Sequence, residues 1–158
     1  MTRRLRTLLI KYHENMNQQP LSRRANDRLG IFPPLGLAYI ASYLREHGYP
    51  VEILDIHALN MLVSDVGKEA FKRSPDVVGI TAKTLGWPAV VQVARAVKAA
   101  LPEAFLVVGG PHLTTYPKES LSFDCIDAGI IGDGEEIMLD LLHHLEDGAD
   151  LSTVKGLV

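Results

Sequence analysis

The sequence predicts an α/β domain built on one doubly wound parallel sheet of five strands, ordered 2-1-3-4-5. Short runs rich in Val, Ile and Leu recur along the chain and are apolar at consecutive positions, as strands covered on both faces are. Amphipathic stretches of helical period separate those runs. Strand–helix alternation of this kind implies right-handed crossovers, which lay successive strands parallel in one open sheet. A length of 158 residues suits one such unit.

The first strand is expected over residues 6–12, with Leu8, Leu9 and Ile10 at its buried centre. Residues 13–34 have no clear periodicity and contain Asn15, Asn17, Gln18, Gln19 and Pro20, then Arg23, Arg24 and Arg28. Connections this long are usually functional or disordered. A helix follows over 35–47, with Leu37, Ile40, Ala41 and Leu44 on one face and Gly48 as its cap. The second strand spans 50–56, and a weaker helix over 60–73 carries Val63, Val66 and Ala70. The third strand, 76–81, is entered from Ser74-Pro75. Pro88 opens a helix over 88–100 that buries Val90, Val93, Ala94 and Val97, and Pro102 prevents its continuation. The fourth strand, 105–108, stops at Gly109-Gly110, and 117–121 fits a short irregular helical turn. The fifth strand covers 125–131 and closes at Gly132. The last helix, 134–147, carries Glu135 and Glu136 in its first turn, where the helix dipole favours them. Residues 154–158 read as the start of another strand.

Composition narrows the function classes. A hydrophobic share of 47% provides one sizeable core, and 22% charged residues argue against disorder. The net charge of −3 points neither to nucleic acid nor to an anionic membrane. No apolar run approaches the roughly 18 residues that span a bilayer, and the short run after Arg3, Arg4 and Arg6 is no signal-peptide core. A cytoplasmic protein is the plain reading. Cys125 is the single cysteine, so neither an intrachain disulfide nor a cysteine-ligated iron–sulfur cluster can form within this chain. It reads as a small buried hydrophobe.

Ligands of doubly wound sheets sit beyond the carboxyl ends of the strands, near the switch between the first and third. The loops there carry the candidate site. Gly109-Gly110-Pro111-His112 ends strand four; two glycines admit a bulky ligand close to the backbone, or serve a turn that needs positive φ. Thr81-Ala82-Lys83-Thr84 ends strand three; its hydroxyls fit ligand polar groups or local capping. Gly132-Asp133-Gly134-Glu135-Glu136 opens the last helix; its free N–H groups suit a polar tail, while the carboxylates disfavour a phosphate. Trp87 fits either core packing or an apolar floor. His143 and His144, near a helix C-terminus, read as dipole-matched surface.

In series, these segments resemble one family. Pro33-Pro34-Leu35-Gly36-Leu37-Ala38-Tyr39-Ile40-Ala41, then Leu44-Arg45 and Gly48-Tyr49, look like the opening of the Rossmann-like (flavodoxin-like) cobalamin-binding domain of radical S-adenosylmethionine proteins. Asp76-Val77-Val78-Gly79-Ile80-Thr81, Val108-Gly109-Gly110-Pro111-His112 and Gly132-Asp133-Gly134-Glu135-Glu136 continue the resemblance in order. Within that family the chain is similar to the anaerobic magnesium-protoporphyrin IX monomethyl ester cyclase group. The resemblance implies a corrin over the carboxyl edge of the sheet. Leu35, Gly36, Thr81, Ala82, Lys83, Thr84, Gly109, Gly110, Pro111, His112, Gly132, Gly134 and Glu135 are the expected cofactor contacts.

Many cobalamin proteins carry Asp-x-His-x-x-Gly after the first strand, where the His ligates cobalt. Here Asp55-x-His57-x-x-Asn60 follows the second strand and lacks the final glycine. Cobalamin is therefore expected base-off and His-off, with no protein metal ligand; His13 is the nearest histidine after strand one, and His57 is expected away from the crevice floor. Residues 1–150 would form the cobalamin-binding unit and 151–158 the start of a connection to a C-terminal radical S-adenosylmethionine domain. That domain would hold S-adenosylmethionine and a [4Fe-4S] cluster, and the parent enzyme would methylate or oxidatively cyclise a small-molecule substrate at an unactivated carbon. This chain would bind and have no catalytic residue of its own. The alternative is a corrin-free docking or substrate-recognition domain of the same fold. A phosphoacceptor receiver, a flavodoxin and a dinucleotide site each lack their required loop after strand one or acid after strand three.

Overall fold

The computed structural model describes residues 3–12 and 32–158. Most of the predicted long connection, with His13, lies outside the described residues. The strands are β1 (Thr7–Lys11), β2 (Val51–Asp55), β3 (Val77–Thr81), β4 (Phe105–Gly109) and β5 (Ala128–Ile130). They pair in parallel in the order β2-β1-β3-β4-β5, the Rossmann-like sheet that the alternation of elements predicts. Among the described residues the α-helices are α1 (Leu35–Glu46), α2 (Val63–Arg73), α3 (Trp87–Ala100), α4 (Pro111–Thr115), α5 (Pro117–Ser120) and α6 (Gly134–Asp147).

Register and pleat decide what each face buries. Leu9 pairs with Gly79, and Gly79 with Val107, so these three residues form a row across β1, β3 and β4. Leu9 and Val107 pack with Leu37, Ala41 and Leu44 of α1 and with Met138, Leu141 and Leu142 of α6. Their strand neighbours Leu8, Ile10, Val78, Ile80, Leu106 and Val108 point the other way, against Val66 and Ala70 of α2 and Val90, Val93, Ala94 and Val97 of α3. Helices α2 and α3 meet at backbone distance: a Cβ on Gly67 would sit 2.6 Å from the Ala96 carbonyl oxygen.

The boundaries differ from expectation where turns intervene. The residues after β2 form a turn, in which the Asp55 carboxylate accepts the Ala58 N–H (2.9 Å) and Asn60 takes positive φ (47°). Helix α2 therefore starts at Val63 and not at residue 60. Strand β5 is shorter than predicted because the residues before it turn, with the Ile126 N–H donating to the Phe123 carbonyl (3.1 Å). Cys125 is buried there, as expected. Helix α4 was expected as loop. Residues near the C-terminus turn back along β5: Gly129 and Val158 exchange both backbone hydrogen bonds (2.7 and 2.9 Å), and the Ile131 N–H donates to the Gly156 carbonyl (2.8 Å).

The amino end of the sheet fastens the tail of α6. Glu146 accepts hydrogen bonds from the Leu5 N–H (3.0 Å), the Tyr49 hydroxyl (2.9 Å) and Arg4 (2.8 Å). Burial opposes ionisation of Glu146, but these three donors together hold its carboxyl below the usual range. Burial, then the Glu146 contact, pushes the Tyr49 phenol up to about 12. The opposite end of α6 reaches the candidate site.

Candidate functional site

A crevice of about 700 Å³ opens at the carboxyl ends of the strands. It runs inward between the sheet and the α1/α6 pair, and its depth is set by the row just described. Leu9, Gly79 and Val107 floor it, with Leu37 and Ile40 of α1 and Met138 of α6 as walls. A side chain at Gly79 would enter this space and meet Leu9 Cδ2 at 2.8 Å. The inner slot is thus apolar and kept open by one missing Cβ.

The mouth is more polar. Thr81 at the end of β3 and Gly109-Gly110 at the end of β4 form one continuous shelf. Ala82 N–H donates to the Gly109 carbonyl (2.7 Å), and His112 N–H donates to the Ala82 carbonyl (3.1 Å), so the two loops are stitched together. Gly110 has φ of 105°, and a Cβ there would lie 2.8 Å from the Ala82 oxygen. The tight turn therefore requires glycine, and the same residue leaves the shelf without a side chain. On one flank Lys11 Nζ donates to the Phe32 carbonyl (2.6 Å) and meets Asp55 Oδ2 at 3.1 Å. On the other, Gly132, Asp133, Gly134 and Glu135 form an acidic lip.

Of the predicted contacts, Leu35, Gly36, Thr81, Lys83, Gly109, Gly110, Gly132, Gly134 and Glu135 line this one crevice. Ala82, Thr84, Pro111 and His112 are not among its lining residues. Ala82 is fully buried in the α2/α3 core. Thr84 begins a 3-10 turn and is exposed, and Pro111 is exposed at the start of α4. His112 is 3% exposed and stacks on Trp87 beneath the shelf. Burial lowers its pKa, with Glu119 a weaker opposing influence.

His57, expected away from the crevice floor, is among the residues that line the crevice, on the flank beside β2 and not in the Leu9, Gly79 and Val107 floor. The reason is topological. Strand β2 lies beside β1, whose carboxyl end opens onto the crevice, so the turn after β2 flanks the mouth. Tyr12 was not singled out from the sequence. It is 4% exposed, lines the crevice and accepts the Lys83 N–H through its hydroxyl (3.3 Å). Its ring occupies the space that a Cβ on Gly86 would need. Leu9, Gly79 and Val107 were likewise read only as strand core. Parallel alignment of the strands could have set them in one row, but not shown that the row borders the crevice. Among the described residues no group of three or more His, Cys, Asp or Glu side chains converges on a metal site.

The fold and the crevice define a cofactor-binding domain of the Rossmann-like class. The chain belongs to the B12-binding domain family, whose pattern matches residues 24–142. It is 40% identical over 126 residues to an uncharacterized methyltransferase of Pyrococcus horikoshii, covering 79% of this chain and 27% of that protein. It is 32% identical over 140 residues to the anaerobic magnesium-protoporphyrin IX monomethyl ester cyclase of Rubrivivax gelatinosus, covering 81% and 24%. Its backbone also matches the radical S-adenosylmethionine methyltransferase TsrM of Kitasatospora setae, solved with cobalamin and a [4Fe-4S] cluster. That match has a TM-score of 0.77 at 22% identity and covers 98% of this chain and 27% of TsrM. The cobalamin-dependent radical enzyme OxsB, solved with aqua-cobalamin, matches with a TM-score of 0.81 at 16% identity, over 99% and 21%. The chain thus spans about a quarter of the length of these relatives. Among the described residues no helix is long and apolar enough to cross a membrane.

Proposed function

We propose that the crevice seats cobalamin base-off and His-off, for a radical S-adenosylmethionine enzyme that methylates or oxidatively cyclises a small molecule. The observation that carries this reading is the apolar slot over Leu9, Gly79 and Val107, opening onto the Thr81/Gly109-Gly110 shelf. Such a slot fits a flat aromatic base, and the wider mouth fits the edge of a corrin. Gly36 at the mouth supports the fit, because among the described residues a Cβ there would meet nothing within 4 Å.

Bound cobalamin would supply methyl-transfer or redox chemistry at cobalt, which is the cofactor's own. The residues here bind and orient. Leu9, Leu37, Ile40 and Met138 would exclude water from the nucleotide base. Thr81, the Gly109-Gly110 backbone and Lys83 would hold the corrin edge and its amides. The lip at Gly132–Glu135 would close the far side. We place residues 1–150 in this binding unit and 151–158 in the approach to a radical S-adenosylmethionine domain of the same parent chain, in the cytoplasm. S-adenosylmethionine and the [4Fe-4S] cluster belong to that domain. The length ratio to the relatives supports it, as do the exposed apolar side chains at the mouth: Phe32 and Leu35 are 71% and 66% exposed.

The test is direct. The chain is mixed with hydroxocobalamin, desalted and scanned in the visible range. Retention of the corrin bands at near one equivalent supports the assignment. A colourless protein overturns it and favours a corrin-free docking domain.

A further inference from the structure

We infer that residues 154–158 act as a strap that positions the lip of the crevice, and that Gly156 is the residue through which it does so. The inference rests on the cobalamin reading above. Strap and lip are joined by backbone. The Ile131 N–H donates to the Gly156 carbonyl (2.8 Å), and the bridge between Ile130 and Leu157 continues the pairing toward Gly129 and Val158. Val154, 3% exposed, anchors the strap's start. Immediately after Ile131 the chain turns at Gly132, with φ of 113°, into the lip.

The side chain of Ile137 is wedged between the two. A Cβ built on Gly132 would lie 3.7 Å from Ile137 Cδ1, and one built on Gly156 only 2.6 Å from the same atom. The Gly156 Cβ would also lie 2.9 Å from the Ile131 carbonyl oxygen, which is backbone and cannot rotate away. Gly156 has φ of 84°, which a side chain disfavours. A side chain at 156 must therefore lift the strap from β5 or drive Ile137 toward Gly132. Either movement displaces the lip, although Gly156 itself does not line the crevice. Gly156 is a positioning residue.

Gly48 supplies a matched control. Its φ is 83°, among the described residues a Cβ there would meet nothing within 4 Å beyond its chain neighbours, and it follows α1 at the end away from the lip. Gly156→Ala and Gly48→Ala thus impose similar backbone strain, but only the first pushes on the lip. In the 158-residue chain, Gly156→Ala is expected to weaken hydroxocobalamin binding by roughly tenfold or more, and Gly48→Ala by less than about threefold. Adding Ile137→Val to Gly156→Ala removes Cδ1 and recovers part of the loss. Hydrogen exchange without cofactor reads the same event: the Ile131 amide and the lip amides exchange faster in Gly156→Ala than in Gly48→Ala. Equal losses of affinity and protection in the two alanine variants overturn the inference, as does a double variant with no recovery. A wild-type chain that takes up no cobalamin overturns the cofactor reading, and the exchange comparison still decides the strap.

Discussion

The indole of Trp87 lies over the imidazole of His112, with ring centroids 4.2 Å apart and planes 27° from parallel. Phe123 meets the indole edge-on, and Tyr116 flanks the imidazole. Neither nitrogen of His112, nor Nε1 of Trp87, has a hydrogen-bond partner in this cluster. The pair lies directly beneath the turn that stitches β3 to β4, so its integrity bears on the shelf.

The first prediction is a pH dependence. Burial holds the His112 pKa in the folded state below the ordinary 6.5, with Glu119 opposing weakly. Above 6.5 the imidazole is neutral in both states and its contribution is fully present. As pH falls below 6.5, the unfolded chain takes up the proton first, and stability declines until the lower folded pKa is reached. Thermal unfolding at pH 7.5 and pH 5.5 should therefore show a loss in the wild type that His112→Phe reduces. The variant also removes two unpaired buried nitrogens, each costing about 1–3 kcal/mol, so it should be at least as stable at neutral pH. An equal acid loss in both proteins would contradict the assignment.

Gly79→Ala separates binding from folding. Alanine suits a strand better than glycine by about 0.5–1 kcal/mol, and the Leu9 methyl it meets belongs to a side chain that can shift. The melting temperature should move little. Cobalamin affinity should drop by roughly tenfold or more, because the new methyl fills the slot floor. Titration followed by absorbance measures the affinity, and undiminished binding would move the nucleotide base out of the slot.

His57 lines the crevice, which makes its role a measurable question. Under His-off binding, His57→Ala leaves the visible spectrum of bound hydroxocobalamin unchanged and the affinity within about threefold. The EPR spectrum of the bound cofactor, reduced to cobalt(II), shows no nitrogen splitting. A spectral shift in the variant, with nitrogen splitting in the wild type that the substitution abolishes, would make His57 the lower ligand.

Gly67→Ala acts on stability alone. The added methyl would lie 2.6 Å from the Ala96 carbonyl oxygen, a backbone atom that cannot rotate away, so α2 must move off α3. Overpacking of this kind costs typically 1–3 kcal/mol, which at this chain length is a drop of several degrees in melting temperature. Cobalamin occupancy well below the transition should match the wild type, since α2 and α3 pack on the sheet face away from the slot.

The sheet order was legible because the strands read as short, largely apolar runs and the first three crossovers carry the amphipathic helices α1, α2 and α3, whereas the crossover from β4 to β5 holds only the short α4 and α5. Nine of the predicted contacts share one crevice for the same reason: the segments that follow β1, β3, β4 and β5 converge at one edge. What could not be read is what lies along a loop's own short path. His112 follows Gly110 by two residues, yet α4 turns it under the shelf, and no periodicity announces a helix of five residues. Tyr12 and His57 enter the site through the β1/β2 flank, where composition alone distinguishes neither from a solvent-facing strand end.

The backward turn at the C-terminus also bears on self-association. With Gly129 and Ile131 already bonded to the returning chain, the β5 border of the sheet offers a neighbour few free amides. The opposite border, β2, has no returning strand among the described residues; there Arg45 donates to the Val51 carbonyl (2.6 Å), and Glu52, its side chain 63% exposed, adds a charge. If two molecules were ever to join sheet to sheet, Val51–Asp55 is where the seam would run.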